Sequence, residues 1–314
     1  VTSVAEKQTI LVTGADLAPQ AVAMLKDFEI VYAGKAPDTA ALVALCAEHQ
    51  PVGIIVRYGK IPAEVMDASR RLRVISKHGT GVDTIDGKAA AERGIAVKAA
   101  VGANAPAVAE HTWALIMACA KSVVQLNARM HDGHWDKATH KSIELKGRTL
   151  GLVGFGAIGQ RVADVAVTLG MNVLAYDPFA RKEYPNVTLC DLDTLYAQSD
   201  VVSLHCPLTE DNKQMINRDS IAKMRAGAIL VNTARGGLVD EAAVIEAVKS
   251  GRLHSAGLDS FASEPLIGSH HFSDVDNIVL SPHIGGVTGD AYIGMGTGAA
   301  ANILAVLAEV PAGA

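Results

Sequence analysis

The run Thr149-Leu150-Gly151-Leu152-Val153-Gly154-Phe155-Gly156-Ala157-Ile158-Gly159, with Asp177 at the end of the next apolar run, constrains the fold more than any other part of the chain. It reads as a strand, a glycine turn, the start of a helix and, one strand later, an acid. Each glycine has its own physical task in such a unit. Gly154 takes the tight turn, Gly156 lets a pyrophosphate approach the backbone, and Gly159 lets helix and strand pack closely. The helix N-terminus adds free N–H groups and the positive end of a dipole. Val162, Val165, Ala166 and Leu169 then share one helical face, and Gly170 stops the helix. Asp177 closes Asn172-Val173-Leu174-Ala175-Tyr176, where a carboxylate accepts hydrogen bonds from an adenosine ribose and repels a 2′-phosphate. This context predicts a dinucleotide site at Gly154, Phe155, Gly156, Ala157, Ile158, Gly159 and Asp177 that takes NAD rather than NADP. Ala157 stands where many such sites carry an arginine, so phosphate binding rests on backbone and dipole. Arg181, four residues on, is a nearby charge able to accommodate a 2′-phosphate.

The rest of the chain repeats the strand–helix alternation. Short β-rich runs at residues 10–13, 30–32, 53–57, 74–76 and 95–97 alternate with helical stretches, which implies a parallel sheet. A longer helical pattern runs from Pro106 to about Met130. A second series follows at 149–153, 172–176, 201–205, 228–232, 255–258 and 277–281, with near-continuous apolar runs suited to strands buried on both faces. The chain then ends in an Ala-rich helical segment, about 291–308, which has no strand partner and is expected to pack back on the first domain. The expected fold class is α/β with two doubly wound parallel-sheet domains, one over residues 1–100 and 290–314 and the other over 101–289.

Composition narrows the function classes. The 314 residues carry a formal charge of −5 and no basic tract, which argues against a nucleic-acid footprint. No apolar stretch is expected to approach the roughly 20 residues of a membrane span. Cys46, Cys119, Cys190 and Cys206 are scattered without CxxC spacing, as in reduced core thiols of a cytoplasmic protein. His111, His131, His134 and His140 lack metal-ligand spacing, so no metal is expected.

Three side chains fall just beyond expected strand ends, where this architecture places function. Arg235 follows 228–234 and precedes Gly236-Gly237, and its planar fork of donors suits a carboxylate. Glu264 lies between Ser263 and Pro265, and His283 follows Ser281-Pro282. If these two meet, the carboxylate favours the charged imidazolium, a proton donor. A carboxylate clamp, a proton donor and a nicotinamide are what reduction of a 2-keto acid needs.

The blocks Asn232-Thr233-Ala234-Arg235-Gly236-Gly237-Leu238-Val239-Asp240-Glu241, Gly257-Leu258-Asp259 through Glu264-Pro265, and Pro282-His283-Ile284-Gly285-Gly286 resemble the three signature blocks of the D-isomer-specific 2-hydroxyacid dehydrogenases. With the glycine fingerprint and Gly79-Thr80-Gly81-Val82-Asp83, the resemblance spans most of the chain. It implies a Rossmann-type NAD domain, a flavodoxin-like substrate domain, a cleft that closes on substrate, and a homodimer built through the cofactor domain. It assigns the substrate carboxylate to Arg235, acid/base work to His283, and support of His283 to Glu264. Thr112, Thr233, Ala234, Asp259, Gly285 and Gly286 resemble cofactor contacts, and His205-Cys206-Pro207 the loop under the adenosine. Gly79, Thr80, Gly81 and Asn104 resemble substrate-side positions, although Val101 replaces a proline often found ahead of Asn104. Arg57 and Lys77 stand where related phosphoglycerate dehydrogenases place positive groups for a substrate phosphate; the opposing reading pairs them with carboxylates of their own domain. Glu264 counts against formate dehydrogenases, which carry glutamine there. No regulatory domain follows the last helix, so feedback control through one is not expected. The substrates left open are glyoxylate, hydroxypyruvate, 3-phosphohydroxypyruvate and bulkier keto acids. Phosphoglycerate dehydrogenase is the nearest alternative, and a dinucleotide-sensing corepressor the alternative from another class.

Overall fold

The computed structural model describes residues 7–180 and 184–309. The chain divides into two compact units, residues 1–104 with 287–314, and residues 105–286.

The first unit is a five-stranded sheet: β1 (Thr9–Val12), β2 (Glu29–Tyr32), β3 (Gly53–Val56), β4 (Val74–Lys77) and β5 (Ala96–Ala99). The order is β2-β1-β3-β4-β5 and every pairing is parallel. Between the strands run α1 (Pro19–Met24), α2 (Thr39–His49), α3 (Ala63–Asp67) and α4 (Gly87–Glu92). Because successive strand residues point to opposite faces, β1 feeds two cores. Leu11 packs with Leu42, Cys46 and Val65, while Ile10 and Val12 pack with Ala21, Leu25 and Ile303. Full burial of such side chains stabilises by about 1.5–3 kcal/mol each.

Ile303 belongs to α11 (Gly289–Ala308), which packs against α1, β4 and β5. At 20 residues, with a mean hydropathy of 1.5 in its best window, α11 is long and apolar enough to cross a membrane, which corrects the expectation that no stretch comes near that length. Ten of its 20 residues are Gly or Ala, and a Cβ on Gly298 would lie 3.0 Å from the Ala100 Cβ. Small residues here let the helix lie close to its own unit.

The second unit begins with α5 (Ala105–Lys121) and α6 (Val123–His131). The single helix expected over 106–130 is therefore two, broken at Ser122, whose φ of 51° is left-handed. No residue of α6 is buried, so no core contact holds it in line with α5. Seven parallel strands follow: β6 (Thr149–Val153), β7 (Asn172–Tyr176), β8 (Val187–Leu189), β9 (Val201–Leu204), β10 (Ala228–Asn232), β11 (Leu253–Leu258) and β12 (Ile278–Leu280). Their order is β12-β11-β10-β9-β6-β7-β8, with α7 (Ala157–Thr168), α8 (Leu192–Gln198), α9 (Arg218–Lys223) and α10 (Glu241–Lys249) as the connecting helices. Strand β8 carries no sequence signal: three residues, mostly exposed, paired along one edge of β7. The reversal of strand order falls between β6 and β9, the place where open α/β sheets take ligands beyond their carboxyl ends.

Candidate active site

The turn after β6 is built from backbone. Gly154 has φ of +95°, and a Cβ there would come within 2.7 Å of the Cys206 nitrogen and the His205 carbonyl carbon. A Cβ on Gly159 would lie 2.5 Å from the Gly154 oxygen, so helix and strand touch through it. Gly156 faces open space and caps α7 without a side-chain hydrogen bond, so the first N–H groups of the helix, from Ala157 and Ile158 onward, are left for an anion. Phe155 is buried edge-to-face on Tyr184 at 4.6 Å and anchors the turn from below. Asp177 ends β7, where its two oxygens accept the Phe155 and Phe179 backbone N–H groups at 2.8 Å each. On the facing strand end, His205 hydrogen-bonds Ser203 at 2.9 Å, and burial pushes its imidazole down to about 3 and the Cys206 thiol up to about 11. The Asn212 amide fixes the Pro207 carbonyl at 2.7 Å. An uncapped helix end, open space above Gly156 and an acid at the neighbouring strand end fit a dinucleotide. Arg181 lies outside the described residues.

The structure brings Glu264 and His283 together: His283 Nδ1 lies 2.8 Å from Glu264 Oε2, while Oε1 accepts the Phe261 N–H at 2.9 Å. The carboxylate therefore sets the ring's tautomer and leaves Nε2 as the outward proton carrier. Arg235 leads out of β10 into a turn clipped by the fully buried Asn232, whose side chain donates to the Arg235 carbonyl and accepts from the Ala234 N–H at 2.9 and 3.0 Å. Gly236 must be glycine, since a Cβ would lie 1.9 Å from the Phe261 carbonyl carbon, in the loop that carries Glu264.

Asp259 is 2% exposed and its carboxylate is engaged inside the unit. It accepts from Ser281 Oγ at 2.6 Å, Ile284 N at 2.9 Å and Gly285 N at 2.8 Å, and His111 Nε2 lies 3.3 Å away. These bonds pin residues 281–285 and with them His283; Gly286 follows half-buried in the same turn. His111, which also meets Ser281 Oγ at 2.8 Å, is a supporting residue that sequence reasoning missed. Its signal was the buried acid itself, which needs donors from elsewhere. Thr112 is fully buried and bonds Thr233 at 2.8 Å, tying α5 to the turn after β10 that continues into Ala234.

In the first unit, Gly79 has φ of +134°, Thr80 donates to Asn104 at 3.1 Å, and the Gly79-Thr80-Gly81 loop follows β4 directly. Lys77 Nζ lies 3.4 Å from the Arg57 carbonyl. Arg57 is ion-paired with Asp16, donates to the Asp16 carbonyl at 2.6 Å, and lies over the Tyr292 ring at 5.0 Å. For Arg57 the structure thus shows pairing with a carboxylate of its own unit.

Residues 113–285 match the family described as D-isomer specific 2-hydroxyacid dehydrogenase, NAD binding domain. The chain is 46% identical over 234 residues to a hydroxypyruvate reductase of Thermotoga maritima, covering 74% of this chain and 76% of that one. It is 41% identical over 262 residues to a D-3-phosphoglycerate dehydrogenase of Archaeoglobus fulgidus, covering 82% of this chain but only 50% of that enzyme, so it spans half the length of that relative. Among solved structures it resembles the TT0316 protein of Thermus thermophilus, with a TM-score of 0.88, 38% identity, and 96% and 97% of the two chains covered. An NAD fingerprint whose first and third glycines are sterically required, a Glu–His pair in hydrogen-bond contact and these likenesses converge: the chain belongs to the D-isomer specific 2-hydroxyacid dehydrogenase family of NAD-dependent oxidoreductases.

Proposed function

We propose that the protein reduces a small 2-keto acid, with hydroxypyruvate as the favoured substrate, to the D-2-hydroxy acid with NADH. The observation that carries this reading is the 2.8 Å contact between His283 and Glu264 in the same unit as the dinucleotide cradle. A nicotinamide held at the glycine cradle would supply the hydride. His283, its ring held by Glu264, delivers the proton to the carbonyl oxygen. Arg235 binds the substrate carboxylate and polarises the carbonyl. Asn232 and Asp259 hold the Arg235 and His283 loops in place through the bonds described above. In the oxidative direction His283 takes the hydroxyl proton instead.

A homodimer in the cytoplasm completes the reading. Exposed Val123, Val124, Met130 and Trp135 on and beyond α6 favour self-association, since charged residues would be expected on a helix facing only water. The four cysteines are all unpaired, in keeping with a reducing compartment. Reduction of 3-phosphohydroxypyruvate is the second reading, favoured by Arg57 and Lys77 at adjacent strand ends of the first unit. A panel of glyoxylate, hydroxypyruvate, 3-phosphohydroxypyruvate and a bulkier keto acid, each with NADH, tests the proposal. The highest kcat/KM is expected for hydroxypyruvate, and absence of turnover on every member overturns it.

A further inference from the structure

His283 sits in a backbone conformation that side-chain-bearing residues seldom adopt. Its φ is +54°, in the left-handed region, and its N–H donates to the Ser281 carbonyl at 3.0 Å. A residue other than glycine stays there only where its surroundings over-determine it. The two N–H groups that follow are both taken by one carboxylate: Ile284 donates to Asp259 Oδ1 at 2.9 Å and Gly285 to Oδ2 at 2.8 Å. The same Oδ1 accepts the Ser281 hydroxyl at 2.6 Å, so Asp259 grips the turn on both sides of His283. A hydroxyl has a single proton, and with that proton on Asp259 the Ser281 oxygen can only accept from elsewhere. His111 Nε2 lies 2.8 Å from this oxygen and 3.3 Å from Asp259 Oδ1, so Nε2 carries a hydrogen. The ring also packs on the turn itself. A Cβ on Gly285 would lie 3.4 Å from His111 Cδ2 and 2.9 Å from Asp259 Oδ2, so imidazole and carboxylate enclose that glycine. Ten of the 17 residues of α5 are buried, which makes the helix that carries His111 a fixed platform.

We infer that His111 is a positioning residue for proton transfer: donating through Nε2–H to Ser281 and Asp259, it completes a chain of hydrogen bonds from α5 that holds His283 in its left-handed conformation and keeps its ring on Glu264. The inference rests on the assignment of the proton to His283 in the reductase reading. Without the His111 donor, a carboxylate that is 2% exposed loses a hydrogen bond and the Ser281 hydroxyl loses the partner that orients it. The clamp on residues 281–285 then loosens. His283 relaxes toward an ordinary φ, and its Nδ1 leaves the 2.8 Å contact with Glu264 that sets the ring for proton delivery. The effect of His111 on that ring is transmitted through the turn.

His111→Gln and His111→Leu separate the donor from the bulk of the side chain, since glutamine keeps an N–H and leucine fills the space without one. In the full chain without cofactor, amide hydrogen exchange at Ile284 and Gly285 should quicken by about tenfold in His111→Leu, the size of one hydrogen bond, and stay within about threefold of wild type in His111→Gln. Exchange at Leu150 and Leu152, in the buried strand β6, should be unmoved in both, which separates a loosened turn from a general loss of stability. With NADH and hydroxypyruvate, kcat should fall by about tenfold in the leucine variant and recover in the glutamine variant. Ser281→Ala removes the middle of the chain, so adding His111→Leu to it should change exchange and kcat by less than about twofold further. Should His111→Leu fold poorly, Ser281→Ala alone gives the same exchange readout at Ile284 and Gly285. Exchange at those two amides that is unmoved by His111→Leu, or equal losses in the leucine and glutamine variants, overturns the inference. If the wild type reduces no 2-keto acid, the reductase reading fails, while the exchange rates of the cofactor-free protein still decide whether His111 holds the turn.

Discussion

Each unit has a switch point at the carboxyl end of a parallel sheet, and the two are built from different materials. Between β6 and β9 the site is made of backbone: glycines whose Cβ atoms would collide with neighbouring main chain, an uncapped helix end, and open space above Gly156. Between β1 and β3 it is made of side chains: a carboxylate, a guanidinium and a tyrosine hydroxyl that satisfy one another. A backbone site offers the same dipoles and N–H groups to any dinucleotide. A side-chain site is tuned by one substitution. The dinucleotide cradle is therefore the part of the molecule that tolerates least change, and the Asp16–Arg57 cluster the part that a single substitution alters most.

The comparison breaks first if the chemistry does not reside in the second unit. His283→Ala is expected to lower kcat by about 10²–10⁴-fold, the range for a positioned proton donor, while the NADH affinity read by fluorescence titration stays within about twofold. A loss confined to NADH binding would move His283 out of the proton path. Gly236→Ala is the backbone counterpart. The added methyl would lie 1.9 Å from the Phe261 carbonyl carbon, so the loop carrying Glu264 must move. Unfolding experiments should show a loss of about 1–3 kcal/mol, typical of overpacking, and kcat should fall with it. Unchanged kcat with lowered stability would separate the loop's position from the chemistry.

The same contrast explains what was legible in the sequence. The fingerprint glycines, Asp177 and Arg235 were readable because each depends on local spacing, a turn or a charged residue directly beyond a strand, whereas Glu264 and His283, further past their strands, were singled out with the signature blocks that they resemble. Every strand of the first sheet was placed for the same reason, by a short apolar run with turn residues on either side. The break at Ser122 was not legible, since serine has no special claim on a left-handed φ and the apolar pattern runs through it. The engagement of Asp259 by His111 and Ser281 was hidden because its partners are remote in sequence. Arg57 was open to two readings for the same cause: its partner Asp16 is 41 residues away, and Tyr292, which orients that partner, comes from the far end of the chain.

The side-chain site should also answer to pH through its buried histidine, as the second unit does through His205. His78 in the first unit is pushed from 6.5 down to about 4, so the unfolded chain binds a proton there at a pH where the folded chain does not. Stability from this group is complete above about pH 6.5 and is lost as pH falls toward 4. Between pH 7 and 5 the loss amounts to about 1.5–2 kcal/mol. Denaturant unfolding at the two pH values should show that drop in the wild type and a smaller one in His78→Gln. Equal drops would show that His78 is accessible to protons in the folded protein.

The smallest effect concerns a charged side chain within the backbone-built site. Asp177 is held rigidly, with the Phe155 N–H on one oxygen and the Phe179 N–H on the other, at the end of β7. Its remaining lone pairs would accept ribose hydroxyls, and its charge would oppose a 2′-phosphate at the same place. NADH should therefore be preferred over NADPH by at least about tenfold in kcat/KM, equivalent to roughly 1.4 kcal/mol. Asp177→Asn keeps a carbonyl oxygen for the Phe155 N–H and removes the charge together with the acceptor for Phe179, whereas Asp177→Ala removes the Phe155 anchor as well. Both should narrow the cofactor gap, but only the alanine variant should also weaken NADH binding through the loosened turn at Phe155. Equal specificity constants in the wild type would show that the glycine cradle alone sets cofactor choice, and would make the second unit a backbone site throughout.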